Sequence, residues 1–188
     1  MTLPASGTCL ADKIVQLDAA LTQARLPHAF GGALALAWCT QRARGTIDID
    51  VNVFVGIEAV DRLLGALPPG VAHTAADREL LVRDGQARLW WGTTPVDVFM
   101  NTTPFHQQAA VRARREQFGG HEIPFLACTD LAVFKAFFDR TKDWADLEEM
   151  ALAGTLDRQR VTGVLVEYLG LDDHRVARLH ALPEAAAD

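Results

Sequence analysis

The chain has 188 residues, of which 49% are hydrophobic and 22% charged, and its formal net charge is −6. These values are typical of a folded globular protein, and they exclude disordered and collagen-like chains. The acidic balance argues against a surface built wholly for nucleic acid, although it leaves room for a local basic groove.

Membrane and disulfide signals are weak in this sequence. The longest apolar run, over residues 29–39, is too short to span a bilayer. Residues 1–13 lack a basic segment followed by an apolar one, so we expect no secretory leader. Cys9, Cys39 and Cys128 are odd in number and widely spaced. They predict neither a disulfide framework nor a zinc knuckle, and they favour a reducing cytoplasm.

The first elements follow from the spacing of apolar residues. Leucine and isoleucine recur at helical spacing between Leu10 and Leu21, which predicts a helix over residues 11–24. A short strand is expected over residues 28–30, followed by Gly31-Gly32 and a buried helix over residues 33–41.

The clearest pattern is an alternation of apolar and polar residues over residues 47–55. The apolar positions are Ile47, Ile49, Val51, Val53 and Val55, and the polar positions begin with Asp48, Asp50 and Asn52. This alternation is typical of a half-buried strand with two carboxylates on its polar face.

The rest of the chain is predicted to contribute a few strands and then mainly helices. We expect helices over residues 58–67, 103–115, 129–153, 158–169 and 172–182, and strands over residues 79–82, 87–91 and 95–100. Thr103 and Thr129 are the expected caps of two of these helices, residues 118–126 form a loop that could include an edge strand, and Leu131, Phe134 and Phe138 form a core stripe.

The expected fold is therefore α/β (α+β), with a mixed β-sheet flanked by helices and a helical C-terminal part. We expect a core over residues 1–127, and a helical part over residues 128–188 packed on it as a single compact unit.

Three aspartates are the strongest candidates for chemistry. Asp48 and Asp50 would lie on one side of a strand with their Cα atoms ~7 Å apart. Asp97 lies in a second alternating strand, and pairing of the two strands would bring three carboxylates together. Aspartate is unfavourable in strands, and carboxylate oxygens suit Mg²⁺. The sequence therefore predicts a metal site, and the alternative is an ordinary solvated face.

Two further features carry weaker signals. Gly31-Gly32, between a strand and a helix, could let backbone amides approach a phosphate, although an ordinary tight turn is the alternative. In a continuous helix, Lys135, Asp139, Lys142 and Asp146 would share one face. A surface stripe of ion pairs, or a helix break near residues 141–143 with Asp143 as a cap, would account for the same residues.

Aromatic and basic residues offer possible contacts to a nucleotide or RNA. One of Trp90 and Trp91 could stack on a base, with core packing as the alternative. A basic patch for tRNA, or else a solvated helix end, is expected from Arg112, Arg114 and Arg115 together with Arg140 and Lys142.

Two segments resemble a known family. Phe30-Gly31-Gly32, followed by the string from Arg44 through Thr46 to Asp48-Ile49-Asp50, resembles the nucleotidyltransferase superfamily of the DNA polymerase β type. The string is most similar to AbiEii-type nucleotidyltransferases, which are toxins of bacterial toxin–antitoxin pairs. A helical segment of that family is matched by Leu131, Lys135, Arg140, Lys142, Asp143, Asp146 and Leu147.

The resemblance implies a nucleotidyltransferase fold that transfers a nucleoside monophosphate from an NTP to an acceptor hydroxyl, with Mg²⁺ or Mn²⁺ as cofactor. By the same resemblance, Asp48 and Asp50 would bind metal, and Asp97 would be a third ligand or the base. Lys135 would steady phosphate charge in the transition state. The nucleotide would contact Gly31, Gly32, Arg44, Thr46, Lys142 and Asp146.

Three functions remain open at the level of the sequence. The first is a cytoplasmic toxin-like enzyme that acts on tRNA or another RNA and has a cognate antitoxin protein as partner. The second is a small-molecule nucleotidyltransferase of the aminoglycoside-modifying type. The third is a non-enzymatic nucleotide-binding module with a degenerate site. The spacer before Asp48 is longer than is usual for the superfamily, and Gly32 offers no hydroxyl, which leaves the acceptor open.

Overall fold

A computed structural model describes residues 8–185 of the chain. Residues 1–7 and 186–188 lie outside this range, and with them most of the segment on which the absence of a leader was predicted. Within the described range, no helix is both long and apolar enough to cross a membrane.

The described residues form a mixed sheet and a set of helices, which confirms the expected fold class. The strands are β1 (His28–Phe30), β2 (Ile49–Gly56), β3 (Val71–Ala72), β4 (Gln86–Trp91), β5 (Thr94–Asn101), β6 (Arg114–Phe118) and β7 (His121–Phe125). The helices are α1 (Leu10–Gln23), α2 (Gly32–Thr40), α3 (Val60–Ala66), α4 (Ala75–Asp84), α5 (Pro104–Arg112), α6 (Cys128–Phe138), α7 (Thr141–Leu152), α8 (Arg158–Leu169) and α9 (His174–His180).

The chain divides into two compact units. The first comprises the described parts of Met1–Phe30 and Thr46–Phe125, and the second comprises Gly31–Gly45 and the described part of Leu126–Asp188. The first unit contains every strand named above, in the order β3-β4-β5-β2-β1-β7-β6. The second contains α2 and α6 to α9. The division after residue 127 into a core and a helical part of one compact unit stays a prediction.

β2 is the central strand of the sheet. It pairs antiparallel with β1 and parallel with β5, and Ile49, Val51 and Val53 are almost fully buried. The strand begins at Ile49, and Ile47 is 81% exposed, so the expectation that the alternation starts at Ile47 is wrong. Phe54 is also buried, because a strand with neighbours on both edges can be covered on both faces along part of its length.

The prediction of a strand over residues 79–82 is wrong, since α4 covers this segment. Thr74 caps the helix by accepting a hydrogen bond from the backbone N–H of Asp77, while the Asp77 carboxylate accepts one from the backbone N–H of Thr74. Gly85 ends the helix with a φ of 68°, which suits glycine. These local signals outweigh the short apolar run that suggested a strand.

The segment after β5 also differs from expectation at its end. Pro104 opens α5 after Thr103, as predicted, but the helix ends at Arg112. Arg114 and Arg115 instead begin β6, an edge strand that pairs with β7. β7 lies inside the sheet between β6 and β1, so the sheet is larger than the sequence indicated.

The expected continuous helix over residues 129–153 is broken, as the alternative interpretation had it. α6 ends at Phe138, and Asp139 adopts the left-handed conformation with a φ of 56°. Asp143, in the first turn of α7, accepts a hydrogen bond from the backbone N–H of Arg140. α6 begins after Ala127, so Thr129 lies inside the helix and is not its cap. Phe138 is 37% exposed and leaves the predicted core stripe.

Cys39 of α2 and Cys128 of α6 form a disulfide within the second unit, with their Cα atoms 5.5 Å apart. The expectation that the cysteines form no disulfide is therefore wrong, and with it one basis for predicting a reducing cytoplasm. The two positions are 89 residues apart in sequence, so their pairing depends on helix packing that spacing alone does not reveal. Cys9 is exposed and not disulfide-bonded.

The disulfide predicts a specific thiol count. Under denaturing, non-reducing conditions only Cys9 should react with a thiol reagent, and after reduction all three cysteines should react. Reduction should also lower the free energy of unfolding by about 2–4 kcal/mol, because the cross-link restricts the unfolded chain. Three reactive thiols without reductant would contradict the pairing, and Cys9→Ser is the matched control.

Candidate active site

Two of the predicted acidic residues lie side by side on the sheet of the first unit. β2 and β5 are parallel, and their register sets Asp50 opposite Asp97. Neighbouring strands are about 4.8 Å apart, and paired residues project from the same face. Like charges in this arrangement repel each other. The pairing therefore creates a local negative charge that needs a cation.

Arg88 of β4 supplies a positive charge at this place. Its register partner is Asp97, and its Nε and Nη2 each donate a hydrogen bond of 2.7 Å to a separate Asp97 oxygen. The hydrogen bonds from Arg88 to Asp97 raise the pKa of the guanidinium, and the charges of Asp48 and Asp50 raise it further. Arg88 therefore lies within electrostatic range of all three candidate aspartates.

Asp48 belongs to the same neighbourhood but not to the strand. It lies at a bend before β2, so the expectation that Asp48 and Asp50 project from one strand is wrong for Asp48. The Thr46 hydroxyl donates a hydrogen bond of 2.5 Å to an Asp48 carboxylate oxygen. Thr46 therefore orients the carboxylate that the resemblance assigned to metal binding.

The donors at this place suit a divalent cation in their chemistry. Asp48, Asp50 and Asp97 offer the hard oxygen ligands that Mg²⁺ and Mn²⁺ prefer. Among residues 8–185, however, no three side chains of His, Cys, Asp or Glu are gathered closely enough to hold a metal ion. In this structure both carboxylate oxygens of Asp97 accept hydrogen bonds from Arg88.

A second charged cluster lies in the second unit, centred on Asp146. Lys135 of α6 donates a hydrogen bond of 2.5 Å to Asp146 of α7, and its ammonium lies 3.9 Å from an oxygen of Asp143. The Arg44 guanidinium also donates to Asp146, and this hydrogen bond raises the pKa of Arg44. The side chains of Lys135 and Asp146 are each only 8% exposed, so these residues do not form a solvated surface stripe.

The helix break separates the other members of the predicted helical face. Asp139 accepts hydrogen bonds from the Trp144 indole and from His174 of α9, at 2.6 and 2.7 Å. The hydrogen bond from His174 is the main cause that lowers the pKa of Asp139. Lys142 is exposed at the start of α7. Of the four residues expected on one helix face, Lys135 and Asp146 are the two that pair with each other.

Gly31 and Gly32 open α2 as the sequence predicted. Gly31 is the N-cap residue, and Gly32 has a φ of 53°, a conformation that a side chain makes costly. Glycine is therefore favoured at position 32 by the backbone conformation alone. The proposed contact with a triphosphate stays a prediction.

The predicted site residues divide between the two units. Thr46, Asp48, Asp50 and Asp97 belong to the first unit, and Gly31, Gly32, Arg44, Lys135, Lys142 and Asp146 belong to the second. Arg88 was missed, because its role depends on the register between β4 and β5. The signal that could have found it is the alternation in β4, where Gln86, Arg88 and Trp90 are exposed.

The aromatic and basic residues are also located. Trp90 is 48% exposed on the same face of β4 as Arg88, whereas Trp91 is buried, in agreement with the expectation that at most one could reach a ligand. Arg114 pairs with Glu116, and Arg115 pairs with Glu122. These acidic partners reduce the local positive charge of the expected basic patch. Arg114 and Arg115 also lie on β6 and not at a helix end.

Solved structures share the architecture described above. The solution structure of the antibiotic-resistance factor ANT(2'')-Ia matches with a TM-score of 0.59 and 16% identity, over 87% of this chain and 95% of that chain. The crystal structure of ANT(2'')-Ia in complex with adenylyl-2''-tobramycin matches with a TM-score of 0.53 and 13% identity, over 92% and 95% of the two chains. This chain has a nucleotidyltransferase fold.

The likeness is one of fold. A nucleotidyltransferase-like protein from Paracoccidioides brasiliensis matches with a TM-score of 0.45 and 14% identity, over 92% of this chain and 94% of that chain. No protein-family model matches the chain, and neither does any curated protein sequence. The nucleotidyltransferase fold therefore stands on structure, and the AbiEii-type likeness stays a resemblance in sequence.

The buried pair in the second unit gives a stability prediction. Asp146→Ala should lower the free energy of unfolding by about 3 kcal/mol, because it leaves the buried Lys135 ammonium without its closest partner. The double variant Lys135→Met/Asp146→Leu should lose less, since it removes both charges. Urea denaturation measures both effects.

The matched control for this experiment is Asp61→Ala. Asp61 also pairs with an arginine, but its side chain is 73% exposed, so its loss should hardly change the free energy of unfolding. If Asp146→Ala unfolds no more easily than Asp61→Ala, the Lys135–Asp146 pair does not stabilise the second unit.

Proposed function

We propose that this protein is a metal-dependent nucleotidyltransferase, which moves a nucleoside monophosphate from an NTP to an acceptor hydroxyl. The observation that carries the proposal is the β2–β5 register, which sets Asp50 against Asp97 in a sheet of the nucleotidyltransferase fold. Asp48 lies just before the same strand, oriented by Thr46. Two carboxylates on adjacent strands, and a third beside them, are the donor set that such a reaction needs.

The residues of the first unit have distinct roles in this proposal. Asp48 and Asp50 would hold Mg²⁺ or Mn²⁺, and Asp97 would be a third ligand or accept the proton of the acceptor hydroxyl. A divalent cation bound there would neutralise the leaving pyrophosphate and activate the attacking hydroxyl. Thr46 would keep the Asp48 carboxylate in place through its hydrogen bond.

The resemblance assigns phosphate contacts to residues of the second unit, which we consider by itself. Gly31 and Gly32 at the start of α2 offer backbone N–H groups of the kind that bind phosphate. Lys142 is exposed and available for a phosphate oxygen. Lys135 and Arg44 both bind Asp146 in this structure. We therefore assign Lys135, Arg44 and Asp146 first to holding α6 and α7 together, and Lys135 second to a direct phosphate contact.

A small hydroxylated cation is the acceptor that we favour. Two matches with TM-scores above 0.5 are structures of ANT(2'')-Ia, one of them in complex with adenylyl-2''-tobramycin. A net charge of −6 also suits a cationic acceptor better than a polyanion. An aminoglycoside-like compound combines positive charge with several hydroxyls.

RNA, and tRNA in particular, is the second candidate acceptor. It is favoured by the string from Arg44 to Asp50 and by the Lys135–Leu147 segment, which resemble the toxin branch of the superfamily. An antitoxin protein would then be a partner, and a cytoplasmic location would follow. A nucleotide-binding module without activity is the third candidate, and the presence of all three aspartates counts against it.

The proposal predicts transfer that depends on the aspartates. In an assay with Mg²⁺ and each labelled NTP, label should move from one NTP to tobramycin or to total tRNA. Asp50→Asn should reduce the rate at least ~100-fold, because the metal ligand is lost while the side-chain volume is kept. Mass spectrometry of the acceptor measures the added nucleotide.

Asp61→Asn is the matched control, since it changes an exposed aspartate of the same unit and should leave the rate unchanged. Transfer to tobramycin alone would establish the small-molecule acceptor, and transfer to tRNA alone would establish the RNA acceptor. Transfer that persists in Asp50→Asn would contradict the assignment of the metal site.

A further inference from the structure

We propose that Arg88 is a built-in counter-ion of the aspartate cluster and must leave Asp97 before a divalent cation can bind there. This inference rests on the proposed function in one respect, namely that Asp48, Asp50 and Asp97 form the cation site. It adds a residue that the sequence patterns and the resemblance did not identify. It also adds a consequence, because Arg88 then sets the affinity of the cluster for its metal.

The contact between Arg88 and Asp97 is geometrically specific. The guanidinium fork binds both oxygens of one carboxylate, at 2.7 Å each, which is the bidentate arrangement that makes such pairs strong. A metal ion that binds Asp97 needs at least one of the same oxygens. A divalent cation and a guanidinium on one carboxylate would also repel each other, so we expect a bound cation to displace the guanidinium.

Arg88 neutralises more than Asp97. The charges of Asp48 and Asp50 raise its pKa in addition to the hydrogen bonds from Arg88 to Asp97. Arg88 therefore places a positive charge within electrostatic range of all three carboxylates.

Asp97 is more buried than Arg88, as the replacement of the Arg88 guanidinium by a cation requires. The Asp97 side chain is 16% exposed, whereas the Arg88 side chain is 52% exposed. Arg88 can therefore swing into solvent without disturbing the packing of the sheet. Asp97 keeps its position in β5, where a cation could take the place of the guanidinium.

A second arginine–aspartate pair in the same unit lacks these features. Arg78 also donates two hydrogen bonds to one carboxylate, that of Asp61, at 2.7 and 2.8 Å. Asp61 is 73% exposed, and the pKa of Arg78 is raised by Asp61 and by Glu79, neither of which belongs to the aspartate cluster. Arg78→Gln therefore removes a similar ion pair away from the cluster, and it is the matched control for Arg88→Gln.

The inference predicts tighter cation binding when the arginine is removed. Mn²⁺ binding to the full chain is measured by electron paramagnetic resonance, without nucleotide. Arg88→Gln should lower the dissociation constant about tenfold, because the cluster loses its internal positive charge. Arg88→Lys should give an intermediate value, since it keeps the charge but loses the fork. Arg78→Gln should match the wild type.

A second readout follows the arginine itself. In the NMR spectrum of the wild type, the Nε–H signal of Arg88 should shift as Mg²⁺ is added, because its hydrogen bond to Asp97 is lost. The Nε–H signal of Arg78 should stay in place. A thermal melt of each variant verifies that it is folded.

The outcomes separate this inference from the proposed function. If wild-type Mn²⁺ binding is abolished by Asp50→Asn but Arg88→Gln binds equally or more weakly, the counter-ion role is wrong and the metal site stands. If Arg88→Gln binds Mn²⁺ and the wild type binds none, the counter-ion role is supported. If neither protein shows binding that depends on Asp50, both the inference and the metal-dependent function are contradicted.

Discussion

The pairing of β2 with β5 is the constraint on which the candidate site depends. A parallel register fixes Asp50 opposite Asp97, and two carboxylates on adjacent strands repel unless a cation lies between or beside them. The antiparallel pairing of β4 with β5 sets Arg88 opposite Asp97 and supplies such a cation. Asp50, Asp97 and Arg88 thus form a row across β2, β5 and β4, which we call the aspartate row. A site of this kind can hold either its own arginine or an external metal ion.

The charged residues around Asp146 in the second unit are arranged differently. The Lys135–Asp146 pair is buried, and Asp146 also accepts a hydrogen bond from Arg44, whose side chain is 44% exposed. Such a network stabilises one arrangement of helices, because removal of a single partner leaves a buried charge. The aspartate row of the first unit is more exposed, and Arg88 pairs with Asp97 within it. We therefore expect the buried cluster to contribute to stability and the aspartate row to contribute to chemistry.

The sequence predicted those elements whose signals are local. Alternation located β2 and β5, and apolar spacing located α1, since each pattern lies within its own element. The strand expected over residues 79–82 was wrong because the Thr74–Asp77 capping box favours a helix. The Cys39–Cys128 bond, the exposure of Ile47 and the role of Arg88 depend on contacts between distant segments. Such contacts produce no periodic residue pattern in a single sequence.

The most direct test of the account is to map Mn²⁺ on the protein by paramagnetic broadening of assigned amide signals. Substoichiometric Mn²⁺ should first broaden the signals around Asp48, Asp50 and Asp97, and Asp50→Asn should abolish this pattern. Broadening centred on other acidic residues, with the β2 and β5 signals unaffected, would contradict the central claim that the paired strands form the cation site.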